Sequence, residues 1–126
     1  MPNADVEARA APIADFSGLM EIAREAFQGG RHDEANRACR QIIDEHGGHP
    51  AAWVVLGATA WKEGDPDRAV EAFAKAVAGH KSNVEYRLML ANAYREQGRL
   101  DDAIETLTTA LEISPHSSAV RVALGT

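Results

Sequence analysis

Apolar residues along the chain recur at three- and four-residue spacing, which is the periodicity of one face of an α-helix. The clearest run is Val70, Phe73, Ala74 and Val77. Residues that break helices separate such runs. Gly64 follows an apolar stretch, and Asp65 and Pro66 restart the chain as a helix N-cap and a first-turn proline. The pattern therefore predicts helices that follow one another across short turns.

The helix pattern repeats with a period of 34 residues. Shifting the chain by this period places Gly30 on Gly64 and Gly98 without any insertion or deletion. The same shift aligns Asp33 with Asp67 and Asp101, Ala35 with Ala69 and Ala103, and Cys39 with Phe73 and Leu107. Two-helix units of this size cannot bury their apolar faces alone, so we expect them to stack on one another.

The period divides the chain into a lead, three units and a tail. The lead is 1–15, the units are 16–49, 50–83 and 84–117, and the tail is 118–126. We expect the lead to be disordered or loosely helical, because it has little apolar bulk. The tail is in register with a fourth unit and is either a truncated first helix or a short C-terminal cap. We favour the truncated helix, which predicts a longer native polypeptide.

The second unit carries Trp53, Leu56 and Gly57, followed by Ala69 and Phe73. This W-x-x-L-G and A-x-x-x-F pattern within 34 residues resembles the tetratricopeptide repeat. The third unit has Leu90, Tyr94, Ala103 and Pro115 at matching positions. The resemblance implies an all-α, right-handed superhelical solenoid of antiparallel helix pairs, and it implies peptide binding on the concave wall.

The first helix of each unit lines the concave wall of such a solenoid. At about 100° per residue, repeat positions 4, 7, 8 and 11 share one arc and are predicted to be core. In the second unit these are Trp53, Leu56, Gly57 and Ala60. Positions 5, 9 and 12 lie on the neighbouring arc, which we expect to face the groove. The candidate groove residues are Met20, Arg24, Phe27, Val54, Ala58, Trp61, Leu88, Asn92 and Arg95.

These candidates form an apolar stripe edged by arginines and an asparagine. The stripe predicts a non-catalytic protein–protein interaction module that binds an extended or helical apolar segment with acidic flanks. Trp61 fits packing between units as well as it fits ligand contact. One alternative is self-association through the stripe into a homo-oligomer. Another is a regulatory N-terminal domain of a longer, enzyme-containing protein.

Composition narrows the classes of function. With 13 Lys and Arg against 19 Asp and Glu, the net charge of -6 disfavours nucleic-acid and membrane-surface binding. The single Cys39 suits a reducing, cytoplasmic setting. His46 and His49 lack further converging ligands, so neither a metal nor a cofactor is expected. The helices offer no phosphate loop or nucleophile elbow, and no enzymatic activity is predicted.

Overall fold

The computed structural model describes residues 16–125, and this part of the chain is a series of seven α-helices without a β-strand. The helices are α1 (Phe16–Gln28), α2 (His32–His46), α3 (Pro50–Lys62), α4 (Pro66–Gly79), α5 (Val84–Glu96), α6 (Leu100–Ile113) and α7 (Ser118–Leu124). The predicted all-α solenoid is confirmed. The predicted lead over 1–15 lies outside the described residues.

The turn inside each helix pair has the same geometry. Gly30, Gly64 and Gly98 occupy the same repeat position, with φ angles of +77°, +78° and +79°. A side chain is strained in this left-handed region, so glycine is the residue that makes the turn without cost. The periodic glycines of the sequence therefore correspond to one repeated structural feature.

Side chains that accept hydrogen bonds cap four of the described helices, three of them through Asp, Asn or Ser. Asp65 Oδ1 accepts from the backbone N–H of Arg68 at 3.2 Å, as the sequence predicts. Asn83 caps α5 in the same way at 2.9 Å, and Ser117 caps α7 at 3.3 Å. Each cap satisfies one backbone donor that the first turn of a helix leaves without a partner.

Helices adjacent in sequence pack against each other, and α1 also packs against α3. The buried side chains fall into three clusters. The first contains Leu19, Met20, Cys39, Ile42 and Leu56; the second contains Val70, Phe73 and Leu90; the third contains Ala91, Ala103 and Leu107. Each of the first two clusters includes side chains from two successive units. The core is therefore continuous along the stack, and each unit covers its neighbour.

Gly57 and Phe73 lie close together between α3 and α4. A Cβ added at Gly57 would lie 2.5 Å from Cε1 of Phe73, whose side chain is buried. The same two repeat positions hold Ala23 with Cys39 in the first unit and Ala91 with Leu107 in the third. The large ring of Phe73 is thus matched by the missing side chain of Gly57.

We predict that Gly57→Ala lowers the free energy of unfolding by about 1–3 kcal/mol, because the buried ring must move to admit the methyl group. The better helix propensity of alanine offsets at most about 1 kcal/mol of this loss. Urea denaturation measures the difference. The control is Gly57→Ala with Phe73→Leu, which copies the alanine–leucine pair of the third unit and should recover part of the stability. A Gly57→Ala protein as stable as the wild type would contradict this explanation.

Candidate functional site

The first helices place four of the nine candidate residues around one hollow of about 240 Å³. These residues are Phe27 from α1, Ala58 and Trp61 from α3, and Asn92 from α5. Phe73, Met89 and Lys62 complete the lining. The hollow therefore spans all three units, and its wall is mostly apolar.

Trp61 is a large side chain that borders two hollows. Its side chain is 37% exposed although it is large and apolar. It borders the main hollow and also a second hollow of about 170 Å³ that includes Gly64, Pro66 and Glu96. A large amphipathic ring next to open space contributes much contact area to a ligand at a low entropic cost.

The residues at repeat position 5 do not line the hollow. Met20 is 2% exposed and belongs to the first cluster, together with Ala52 and Val55 of α3. The expectation that Met20 lines the groove is therefore wrong: its side chain packs between two successive first helices. Val54 and Leu88 are half-buried and lie outside the lining of the hollow, and Leu88 packs against the third cluster.

The predicted arginines lie near the groove but do not line the hollow. Arg24 and Arg95 are exposed, and Nη1 of Arg95 donates to the carbonyl of Ala123 at 3.3 Å. Arg95 therefore ties α5 to α7. The cation in the lining is Lys62, which the sequence analysis missed together with Met89. Lys62 follows Trp61 along its helix, and Met89 follows Leu88. A predicted groove face one residue wider would have included both.

The loop of His46 and His49 has a structural role. Nδ1 of His49 accepts a hydrogen bond from the backbone N–H of Ala51 at 3.2 Å and caps α3. The ring of Phe16 lies 4.4 Å from the ring of His49 and 5.9 Å from that of His46, centroid to centroid. Among residues 16–125, no three His, Cys, Asp or Glu side chains converge as metal ligands would.

Over the same residues, no helix is long and apolar enough to cross a bilayer.

Trp53 is less buried than its repeat position predicts. Its repeat position predicts a core residue; Trp53 does pack against the first cluster, but it is only half-buried, and Nζ of Lys75 lies 5.4 Å from the centroid of its ring. Leu56, Gly57 and Ala60, the other three positions of that arc, are buried as predicted. Trp53 is therefore partly open to solvent, between α2 and α4.

Cys39 is a buried side chain, as the sequence predicts from the large apolar residues at the same repeat position. Burial raises the pKa of the thiol from 9.0 to about 12, and the neighbouring Arg40 opposes this increase only in part. The thiol is consequently protonated at neutral pH, and a protonated thiol is a poor nucleophile.

Two family models described as "Tetratricopeptide repeat" match residues 20–79 and 60–125. The crystal structure of MamA is similar with a TM-score of 0.82 and 18% identity, over 96% of this chain and 70% of that one. The Yersinia enterocolitica type III secretion chaperone SycD, in complex with a peptide of the translocator YopD, is similar with a TM-score of 0.78 and 17% identity. This match covers 86% of the present chain and 88% of SycD. The first TPR of Spaghetti (RPAP3), bound to an HSP90 peptide, is similar with a TM-score of 0.77 and 20% identity over 85% of each chain. At these identities the likeness concerns the fold.

We predict that the folded protein reacts slowly with a thiol reagent such as DTNB at about pH 8, because Cys39 is buried and its raised pKa keeps it protonated. Unfolding in urea returns the thiol to its ordinary pKa and should accelerate the reaction at least about tenfold. Absorbance of the released thiolate follows the rate. The control is Cys39→Ala with Ser82→Cys, which moves the thiol to an exposed turn and should react rapidly in the folded state. Equal rates for the two folded proteins would contradict the burial of Cys39.

Proposed function

Because the chain belongs to the tetratricopeptide repeat family, we propose that it is a non-catalytic protein-interaction module that binds a peptide or helical segment in its concave groove. The observation that carries the proposal is the hollow between Phe27, Trp61 and Asn92. It is open, mostly apolar and built from all three units, so an occupant contacts the whole stack at once. The non-catalytic role rests on the family.

The chemistry of the hollow favours one class of ligand segment. Its volume of about 240 Å³ suits one aromatic or long aliphatic side chain held between Phe27 and Trp61. Lys62 in the lining and the exposed Arg24 beyond it favour carboxylates next to that side chain. The apolar anchor supplies affinity, and the cations orient the ligand and accelerate its association.

Peptide complexes of similar folds support peptide binding as the function. The structure of SycD holds a peptide of the translocator YopD, and that of Spaghetti holds a peptide of HSP90. The partner of the present chain is defined here by chemistry alone, as a protein segment with an apolar side chain and acidic neighbours. A cytoplasmic setting stays a prediction from the sequence.

Self-association is a second candidate, and exposed apolar residues on α6 and α7 favour it. Leu100, Ile104 and Val122 are 58%, 53% and 76% exposed. Val70, which aligns with Ile104 one unit earlier, is 9% exposed because it packs in the second cluster with Leu90 of the next unit. The second unit thus buries the position that Ile104 leaves exposed in the third, and a second copy of the chain would cover Ile104. The other alternative, a regulatory domain of a longer protein, stays a prediction.

The groove is tested with peptides selected from a random library displayed on phage and panned on the folded protein. We expect the selected peptides to combine an aromatic or long aliphatic residue with acidic neighbours. In isothermal titration calorimetry, Trp61→Ala should weaken their binding about tenfold or more, as truncation of a buried aromatic anchor does.

The matched control for this experiment is Ile113→Ala, because Ile113 is an apolar residue with 39% exposure outside the hollow. It should bind the selected peptides as the wild type does. Circular dichroism establishes that both variants are folded. Equal affinities of the wild type and a folded Trp61→Ala protein would contradict the assignment of the groove.

Self-association is tested by light scattering over a range of protein concentrations. We expect the average mass to rise with concentration, and Ile104→Ser should reduce the rise because it makes the exposed face polar. Thr108→Ser changes another exposed residue of α6 and serves as the control. A monomeric mass at every concentration would exclude this candidate.

A further inference from the structure

A separate cleft lies between the second helices of the first two units, α2 and α4, with α3 as its floor. Its volume is about 290 Å³, and it shares no lining residue with the concave hollow. Arg40 enters it from α2 and Trp53 from α3, while Arg68, Glu71 and Lys75 enter it from α4. We call it the α2–α4 cleft. Because none of its lining residues belongs to the hollow, it can be occupied independently of the groove.

The α2–α4 cleft is basic in a protein whose net charge is -6. Three cationic side chains and one carboxylate line it. Among residues 16–125, Arg40 and Lys75 have no carboxylate oxygen within 4.0 Å. Nη1 of Arg68 lies 3.7 Å from Oε1 of Glu63, and the Arg68 side chain remains 47% exposed. The cations are thus available to an anionic ligand.

The repeat itself does not require these cations. One unit further along the chain, the residues that align with Arg40, Arg68 and Lys75 are Ala74, Asp102 and Thr109. The corresponding positions on α4 and α6 therefore carry no cation. The positive charge belongs to this one cleft and is not a by-product of stacking.

Trp53 gives the α2–α4 cleft an apolar surface beside its charges. Nζ of Lys75 lies 5.4 Å from the centroid of the half-buried indole. Past Trp53, the cleft continues into a shallower depression of about 740 Å³ that reaches Gly48 and Gly79. The combined surface is longer than a single small anion needs. It fits an extended segment that presents both carboxylates and an apolar side chain.

We propose that the α2–α4 cleft is a second binding site, which takes an acidic peptide segment of a partner protein. The carboxylates of the segment pair with Arg40, Arg68 and Lys75, and a neighbouring aromatic side chain lies against Trp53. Charge complementarity directs the acidic segment to the cleft, because the rest of this protein is acidic and repels such a segment. The module then presents two separate sites, an apolar hollow on the first helices and a basic cleft on the second.

The two tryptophans of the chain report on the two sites separately, since Trp61 borders the hollow and Trp53 the cleft. Their indole N–H signals are followed by NMR of the ¹⁵N-labelled protein and are assigned with Trp53→Phe and Trp61→Phe. The probe is a synthetic peptide in which glutamates flank one phenylalanine. We expect it to shift the Trp53 signal, and we expect added salt to reverse the shift.

Charge reversal separates specific binding from general attraction. Arg40→Glu should weaken binding of the glutamate peptide about tenfold or more, since it replaces a pairing cation with a repelling charge. Lys81→Glu makes the same change of charge in an exposed turn outside the cleft and should have a much smaller effect. Arg40 and Lys81 are both exposed, and circular dichroism verifies that the two variants are folded.

Three outcomes would overturn the proposal. The first is a shift of the Trp61 signal without one at Trp53, which would show that the peptide binds in the concave groove and not in the cleft. The second is an equal effect of Arg40→Glu and Lys81→Glu. The third is the same Trp53 shift with inorganic phosphate at the same concentration, which would make the cleft a site for free anions. A Trp53 shift specific to the peptide and lost in Arg40→Glu supports the cleft whatever happens at Trp61.

Discussion

Each helix pair leaves an apolar face that only its neighbours can cover, and the rest of the structure depends on this need to stack. The contact between pairs is close because small side chains hold many of the buried positions, as Ala52, Ala60 and Ala93 do. Where a large ring enters, at Phe73, the facing helix has Gly57. Helix spacing and residue size are therefore set together, and a 34-residue period maintains the match along the chain.

Stacking also decides where ligands can bind. Side chains between successive first helices become core, which is why Met20 is unavailable to a partner. Residues on the concave side line the hollow at Trp61, and residues between α2 and α4 line the basic cleft at Trp53. The two surfaces differ in chemistry because the repeat does not constrain them. One is mostly apolar with a lysine at its edge, and the other collects three cations.

The helices and turns of this chain were predictable because each is specified locally. Asp65 caps its helix through a hydrogen bond three residues ahead, and Gly64 makes a turn that few other residues can adopt. Aligning the units also identified most of the core. Met20 is more buried and Trp53 less buried than predicted, because helix periodicity alone does not fix where the core arc ends. Lys62 and Met89 were missed for the same reason, since the true edge of the hollow lies one residue beyond the predicted arc.

The fold class, the period, the turns and the burial of Cys39 were all predictable from the amino-acid sequence. These follow from helix periodicity, from glycine and capping residues, and from the comparison of one unit with the next. Only the tertiary structure decided which side chains share a hollow, because that depends on the angle and distance between helices far apart along the chain. Arg40 and Lys75 are 35 positions apart and show no motif, yet stacking brings both to one cleft. Local interactions specify the helices and turns of each repeat, whereas the binding surfaces form only when distant helices pack together.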